Sequence, residues 1–243
     1  MALKIGILTL PITENYGGIL QSLALYKFLD AQGHDVVLIY KDTYQDFWKK
    51  LSKKINRVIV STDSQEIANI ALQFNAEVPF LRPDELASDK SRDIDYILHS
   101  LDWLKNNENY TPDLIILLRP TTPLRETKFI DKAIDQMIQQ RNATSLRSSH
   151  LVPETPFKWF SLKGNFYAPI CDNYTLEDTN NPRQSFPEIY VPNGYVDIIK
   201  PDVIKKQNSL YGNKIFAFIT PLGYEVDTLE DFEYIEYLIF KKI

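Results

Sequence analysis

Two groups of residues in this chain have the types and spacing for chemistry on a charged substrate. The first is Tyr224-Glu225-Val226-Asp227-Thr228-Leu229-Glu230-Asp231-Phe232. On an extended segment Glu225 and Asp227 point to the same side, because the side-chain period is two. Two carboxylates side by side repel each other unless a cation sits between them. A small set of oxygen ligands suits Mg2+ that also holds substrate phosphates. The competing reading is a pair of exposed acids beside a helix start, since Thr228 and Asp231 stand three apart as a cap requires. The second group is Arg119-Pro120-Thr121-Thr122-Pro123-Leu124-Arg125. Arg119 and Arg125 cannot lose their charge, and their planar forks suit phosphate or carboxylate. A solvated turn explains the same residues without any ligand.

The elements that must position these groups follow from periodicity. The run Leu114-Ile115-Ile116-Leu117-Leu118 is apolar throughout and bounded by turn residues. It reads as a strand buried on both faces, in the middle of a parallel sheet. In open α/β sheets the carboxyl end of such a strand is where ligands bind. Earlier, residues 5–10 read as a strand, residues 11–18 as a loop, and Leu20, Leu23, Ala24, Phe28 and Ala31 as one face of a helix. With a second strand at residues 36–39 this is a βαβ-like unit. Gly17-Gly18 before the helix either lets phosphate approach free N–H groups or makes a tight turn. It has neither a P-loop lysine nor the three-glycine dinucleotide pattern. A composition shift places a junction near Lys54, dividing the chain into residues 1–54 and 55–243.

Beyond the junction, residues 57–63 read as a strand, and Asp63 with Glu66 as an N-cap arrangement opening a helix through Ala71. Ile94, Ile97, Leu98, Leu101 and Leu104 form one helical stripe, with a structural His99 beside it. Another helix runs from about Lys128 to Gln139. After Ala143, recurrent prolines break the chain into short runs such as Phe157-Lys158-Trp159-Phe160. These read as short antiparallel strands and loops, a lobe over about residues 150–212. A strand at residues 215–219 and a helix burying Phe232, Ile235, Leu238 and Ile239 close the chain. The pattern predicts an α/β fold, a mostly parallel doubly wound sheet with a small antiparallel lobe.

Bulk properties narrow the function classes. The 243 residues fit one large domain, or one domain with a small lobe. A net charge of −5 gives no basic footprint for nucleic acid or an anionic membrane. The lone Cys171 excludes an intrachain disulfide and a thiolate metal cage. Apolar runs are far shorter than a bilayer span, and the first residues lack the apolar core of a signal peptide. The expectation is a cytoplasmic protein.

From residue 56 onward the chain resembles acylneuraminate cytidylyltransferases, the CMP-sialic acid synthetase family. The blocks that carry this are Arg57-Val58-Ile59-Val60-Ser61-Thr62-Asp63-Ser64, Ala76-Glu77-Val78-Pro79-Phe80-Leu81-Arg82-Pro83, Leu118-Arg119-Pro120-Thr121-Thr122-Pro123-Leu124-Arg125, Pro182-Arg183-Gln184, Pro192-Asn193-Gly194, and Val226-Asp227-Thr228-Leu229-Glu230-Asp231-Phe232. The resemblance implies a fold of the nucleotide-diphospho-sugar transferase type, usually a homodimer. It implies transfer of CMP from CTP to a nonulosonic (sialic-type) acid in surface polysaccharide biosynthesis, releasing pyrophosphate. Carried over by position, Asp227 and Glu225 would hold Mg2+, with Glu225 where many relatives have Asp. Arg119 stands in a place often filled by Gln near the acceptor sugar. Thr122 and Arg125 fall in the same acceptor-side pocket. Arg183, a candidate carboxylate clamp, would face the sugar with Gln184, assisted by Lys158, and Asn193 would shape that pocket. Ser91 belongs to the nucleotide side.

The chain departs from that family at its start. The family begins with a strand and a loop rich in Gly, Ser, Lys and Arg that wraps the CTP triphosphate. Here Lys4-Ile5-Gly6-Ile7-Leu8-Thr9-Leu10, Asn15-Tyr16-Gly17-Gly18-Ile19-Leu20-Gln21 and Gly33-His34-Asp35-Val36-Val37 resemble instead the N-terminus of polysaccharide pyruvyl transferases. Glu14 lies where the family places cations, and fixed cations stabilise a pyrophosphate leaving group. Three activities follow as expectations: a cytidylyltransferase, impaired or not by the exchanged loop; an inactive relative that binds a sugar acid or a complete paralogue; and polysaccharide pyruvyl transfer. A gene fused from parts of a sugar locus is compatible with the first two.

Overall fold

The computed structural model describes residues 5–9, 55–88 and 90–241, with residues 5–9 and 239–241 described by their backbone alone. In chain order its elements are β1 (Ile5–Thr9), β2 (Arg57–Val60), α1 (Gln65–Gln73), α2 (Asp93–Glu108), β3 (Leu114–Leu118), α3 (Thr127–Gln139), β4 (Ser145–Leu151), β5 (Phe160–Lys163), β6 (Phe166–Pro169), β7 (Tyr190–Ile199), α4 (Pro201–Gln207), β8 (Ile215–Ile219) and α5 (Leu229–Lys241). The helix and second strand expected over residues 20–39, and the Gly17-Gly18 turn, lie outside the described residues.

The large sheet has the order β2-β1-β3-β7-β4-β8. β1 pairs parallel with both β2 and β3, Thr9 lying level with Val60 and with Leu118. β4 and β8 also pair parallel, while β7 runs antiparallel to β3 and β4 between them. Five of the described strands therefore point one way and one points back, the mostly parallel arrangement read from the sequence. β3 is apolar at every position because both of its faces are covered. Ile116 and Leu118 meet Ile130, Ala133, Ile134 and Met137 of α3 on one side. Ile115 and Leu117 meet Ile94, Ile97, Leu101 and Leu104 of α2 and Ile204 of α4 on the other. At about 1.5–3 kcal/mol per large apolar side chain buried, these contacts outweigh any local preference of the segment.

Three local features differ from the sequence reading. α1 is capped by Ser64, whose side chain accepts from Ile67 N at 3.3 Å, so the helix starts one residue later than an Asp63 cap would place it. Phe157 and Lys158 do not open a strand; Pro156 and the Thr155 hydroxyl start a single 3-10 turn there, and the strand begins at Phe160. Residues 190–199, placed in the lobe from their Pro192-Asn193-Gly194 breakers, form the central strand β7. Proline cannot donate to a ladder, and a register shift in the β4–β7 pairing beside Ser149–Pro192 absorbs it.

What remains of the lobe is an excursion between β4 and β7, containing the antiparallel hairpin of β5 and β6. Elsewhere in the excursion Phe157, Tyr174 and Phe186 pack together, with centroids 4.8 to 5.9 Å apart. The hairpin itself leaves Leu162, Phe166 and Tyr167 exposed. His99 meets Phe80 edge-on at 4.9 Å, as a structural histidine does. Among the described residues no helix is long and apolar enough to cross a membrane.

Candidate active site

The carboxyl ends of β1, β2 and β3 share one edge of the sheet, since Thr9, Val60 and Leu118 are level. At that edge β3 turns into the arginine loop, closed by a bond from Thr122 N to Arg119 O at 3.2 Å. The acidic segment lies against this loop: Val226 N donates to Thr121 O at 2.8 Å. The two groups that the sequence keeps a hundred residues apart are thus held together by main chain.

Their side chains converge on Gly194 of β7. A Cβ at that position would stand 2.7 Å from Glu225 Oε1, 2.9 Å from Thr122 Oγ1 and 3.4 Å from Arg119 Cδ. Gly194 also has φ +59°, in the left-handed region that glycine adopts without strain. Thr122 is fully buried, and its hydroxyl has no hydrogen-bond partner among the described residues. This hydroxyl, the Glu225 carboxylate and the aliphatic stem of Arg119 thus gather around Gly194.

Arg119 Nη2 donates to Asp93 Oδ2 at 2.6 Å and lies 4.0 Å from Asp197 Oδ2. Burial alone disfavours its charge, but Asp93, with Asp197 behind it, outweighs burial and holds the guanidinium above the usual arginine value. Glu225 is exposed as a residue, yet the chain packed around its carboxyl desolvates it and, with the neighbouring Asp227, pushes it above its usual range against the pull of Arg119 and Arg125. Asp227 is open to solvent. Behind the pair, Asp231 Oδ2 accepts from Asp227 N, Thr228 N and Thr228 Oγ1 at 2.9 to 3.1 Å, and Thr228 Oγ1 accepts from Asp231 N in return. This reciprocal cap is the one the Thr228–Asp231 spacing predicts, and it fixes the turn that carries Asp227.

The other candidate residues are placed differently. Arg125 is a clamp on main chain: Nε donates to Tyr195 O at 2.6 Å, and Nη2 to Arg119 O at 2.6 Å and Gly194 O at 2.9 Å. It fastens the exit of β3 to β7. Asn193 is buried, donating to Thr220 Oγ1 at 2.7 Å and accepting from Tyr195 N, so its side chain ties β7 to the end of β8. Lys158 Nζ and Arg183 Nη2 donate to Asn181 O and Val152 O, and with exposed Gln184 they lie on the lobe. Ser91 meets the Ser88 hydroxyl at 3.0 Å, just before the start of α2. The structure therefore brings together Arg119, Thr122, Glu225 and Asp227 at the sheet edge. It adds residues that the sequence reading did not single out: Gly194, Asp93 and Asp197.

Glu225 and Asp227 suit a divalent cation by their donor chemistry. Among the described residues no three or more His, Cys, Asp or Glu side chains gather as a metal cage. Two carboxylates are the donor number that Mg2+ takes from protein, with water and substrate phosphate completing its shell.

A family model described as cytidylyltransferase matches residues 49–239, most of the chain and every residue of this site. The chain belongs to the cytidylyltransferase family. As a cytidylyltransferase it is a nucleotidyltransferase. Post-translational flagellin modification protein B of Campylobacter coli is 32% identical over 209 residues, covering 82% of this chain and 83% of that protein. A CMP-N,N'-diacetyllegionaminic acid synthase of Campylobacter jejuni subsp. jejuni serotype O:2 is 28% identical over 198 residues, 79% of this chain and 80% of the other. In fold, the chain is similar to CMP:2-keto-3-deoxy-manno-octonic acid synthetase solved with CTP, at a TM-score of 0.64 and 12% identity, covering 99% of this chain and 100% of that one. The family match starts at residue 49, yet β1, which precedes it, lies inside the same sheet between β2 and β3.

Proposed function

We propose that this cytidylyltransferase transfers CMP from CTP to a nonulosonic acid, in the assembly of a surface glycan. The observation that carries the reading is the contact of the acidic turn with the arginine loop. Glu225, Thr122 and the Arg119 side chain all approach Gly194. Similarity to a protein named as a CMP-legionaminic acid synthase supports the acceptor class.

In the reaction a hydroxyl oxygen of the sugar attacks the α-phosphorus of CTP. The bond from that phosphorus to the bridging oxygen breaks, pyrophosphate leaves, and the hydroxyl proton is released. Such transfer depends on positioning and charge neutralisation more than on covalent help from the protein. Mg2+ held by Glu225 and Asp227 would supply neutralisation at the phosphate oxygens. Arg119 would hold the acceptor by a polar or anionic group, and the Thr122 hydroxyl would hydrogen-bond it. Arg125 keeps the loop that carries both in register with β7. Lys158, Arg183 and Gln184 would reach the sugar from the lobe, and Ser91 would serve the nucleotide side.

The test is incubation of the full chain with CTP, Mg2+ and a panel of nonulosonic acids, measuring pyrophosphate. Release that depends on one acceptor is the expected result. If no acceptor gives release at high protein concentration, the chain is an inactive relative.

One face of the β5–β6 hairpin carries Phe160, Leu162 and Tyr167 side by side and exposed, more than scattered single apolar residues explain. We propose that a second copy of the chain covers it. Sedimentation should show a dimer that Leu162→Glu converts to monomer. A wild-type monomer at assay concentration would refute the dimer.

A further inference from the structure

Arg119 is backed by acids from two different layers. Asp93 lies in the first turn of α2, where the helix dipole favours a carboxylate. Asp197 lies in β7, in register with Leu117 of β3 on one side and Arg147 of β4 on the other. Its carboxylate therefore stands on the same sheet face as Leu117 and, two residues on, Arg119. Tyr211 donates its hydroxyl to Asp197 Oδ2 at 2.8 Å. Arg147 Nε lies 3.8 Å from that oxygen, with its guanidinium 4.5 Å above the Tyr211 ring.

This arrangement is a poor device for stability alone. Asp197 is only 2% exposed, and its Oδ1 has no hydrogen-bond partner among the described residues. Its nearer arginine approaches to 3.8 Å, beyond ordinary hydrogen-bond reach. A buried ion pair of this quality does not beat well-packed apolar side chains of the same size. It does, however, set a location. Asp93 holds Nη2 from the helix layer, and Asp197 attracts the same guanidinium from the sheet layer. An arginine has many rotamers, and two fixed anions on rigid elements select one of them.

We propose that Asp93 and Asp197 are positioning residues that fix Arg119 for recognition of the acceptor. The proposal rests on the reading of Arg119 as an acceptor contact. The two acids act through Arg119, with the nucleotide untouched by either.

The experiment measures dissociation constants by calorimetry on the full chain, with N,N'-diacetyllegionaminic acid and CTP as separate probes, and the acceptor KM in parallel. Asp197→Asn and Asp93→Asn should each weaken the acid on the order of tenfold, in line with the cost of a small misplacement at a site, and leave CTP unchanged. In the Arg119→Gln background, either acid variant should add nothing further, because neighbours acting as a unit are non-additive. Asp93→Asn sits at a partly exposed helix start and keeps the test alive if Asp197→Asn fails to fold. Full additivity with Arg119→Gln, or equal weakening of CTP and the acid, would overturn the positioning role. Acid binding indifferent to both Arg119→Gln and Arg119→Ala would overturn the acceptor reading itself.

Discussion

Asp227→Asn should leave the fold intact and reduce turnover on the order of a thousandfold, the range seen when a charge-stabilising group is taken from a transferring phosphoryl centre. The substitution preserves shape. The cap behind it uses Asp227 through its backbone N–H alone, so α5 keeps its start. What disappears is one of the two oxygen donors proposed for the cation. The loss should be partly recovered at high Mg2+, and pyrophosphate release titrated against Mg2+ reads both effects. Wild-type turnover by Asp227→Asn at the same Mg2+ would remove this residue from the site. The partner acid adds a pH dependence whose sign is fixed. Glu225 titrates above its usual range because of desolvation and then of Asp227. The charged form proposed to hold the cation is present above that raised value and lost as pH falls through it, so Mg2+ affinity should fail at higher pH than a fully solvated glutamate would allow. In the metal-free chain the same shift works against stability at neutral pH and is relieved as the carboxyl protonates.

Gly194→Ala should separate the site from the fold. Its φ of +59° is costly for alanine by about 1–2 kcal/mol. The new methyl would stand 2.7 Å from Glu225 Oε1 and 2.9 Å from Thr122 Oγ1, closer than a carbon can stay. Something must shift, and the neighbours are the acceptor-side and metal-side groups themselves. A displacement near an ångström at such a place costs on the order of a hundredfold in rate. Gly164, in the β5–β6 turn, is the control. It has φ +61° and nothing within 4 Å of its would-be Cβ. Gly164→Ala should lose similar stability in urea unfolding and keep its turnover. If the two variants lose turnover equally, convergence on Gly194 has no part in catalysis.

The sequence was most legible where one physical demand dominated. Leu114–Leu118 is apolar at all five positions because helices cover both faces, and no polar residue blurs the signal. α2 was readable from its stripe, and the Thr228–Asp231 cap from its spacing. β7 was not, because Pro192, Asn193 and Gly194 break its first half, and only pairing with two neighbours makes it a strand. The site divides the same way. Glu225 and Asp227 were legible as a pair because period two puts them on one side. Arg125 and Asn193 have the chemistry of ligand contacts, but residue type states what a side chain can bind and not what it does bind. Here main-chain carbonyls and the Thr220 hydroxyl take them. Asp197 left a signal that could have been read: an acid inside Tyr195-Val196-Asp197-Ile198-Ile199, where nothing but a buried function explains a charge.

The excursion that carries β5 and β6 leaves the sheet at Leu151 and returns at Tyr190, and these two residues are direct partners in the β4–β7 ladder. Residues 152–189 therefore form a ring closed by the sheet. The entropy of closing such a ring changes slowly with its length, about 0.6 kcal/mol for each doubling. Lengthening, shortening or replacing it asks little of the strands that close it. The part proposed to meet the sugar can accordingly be exchanged as a cassette, while β3, β7 and the acidic turn stay as they are.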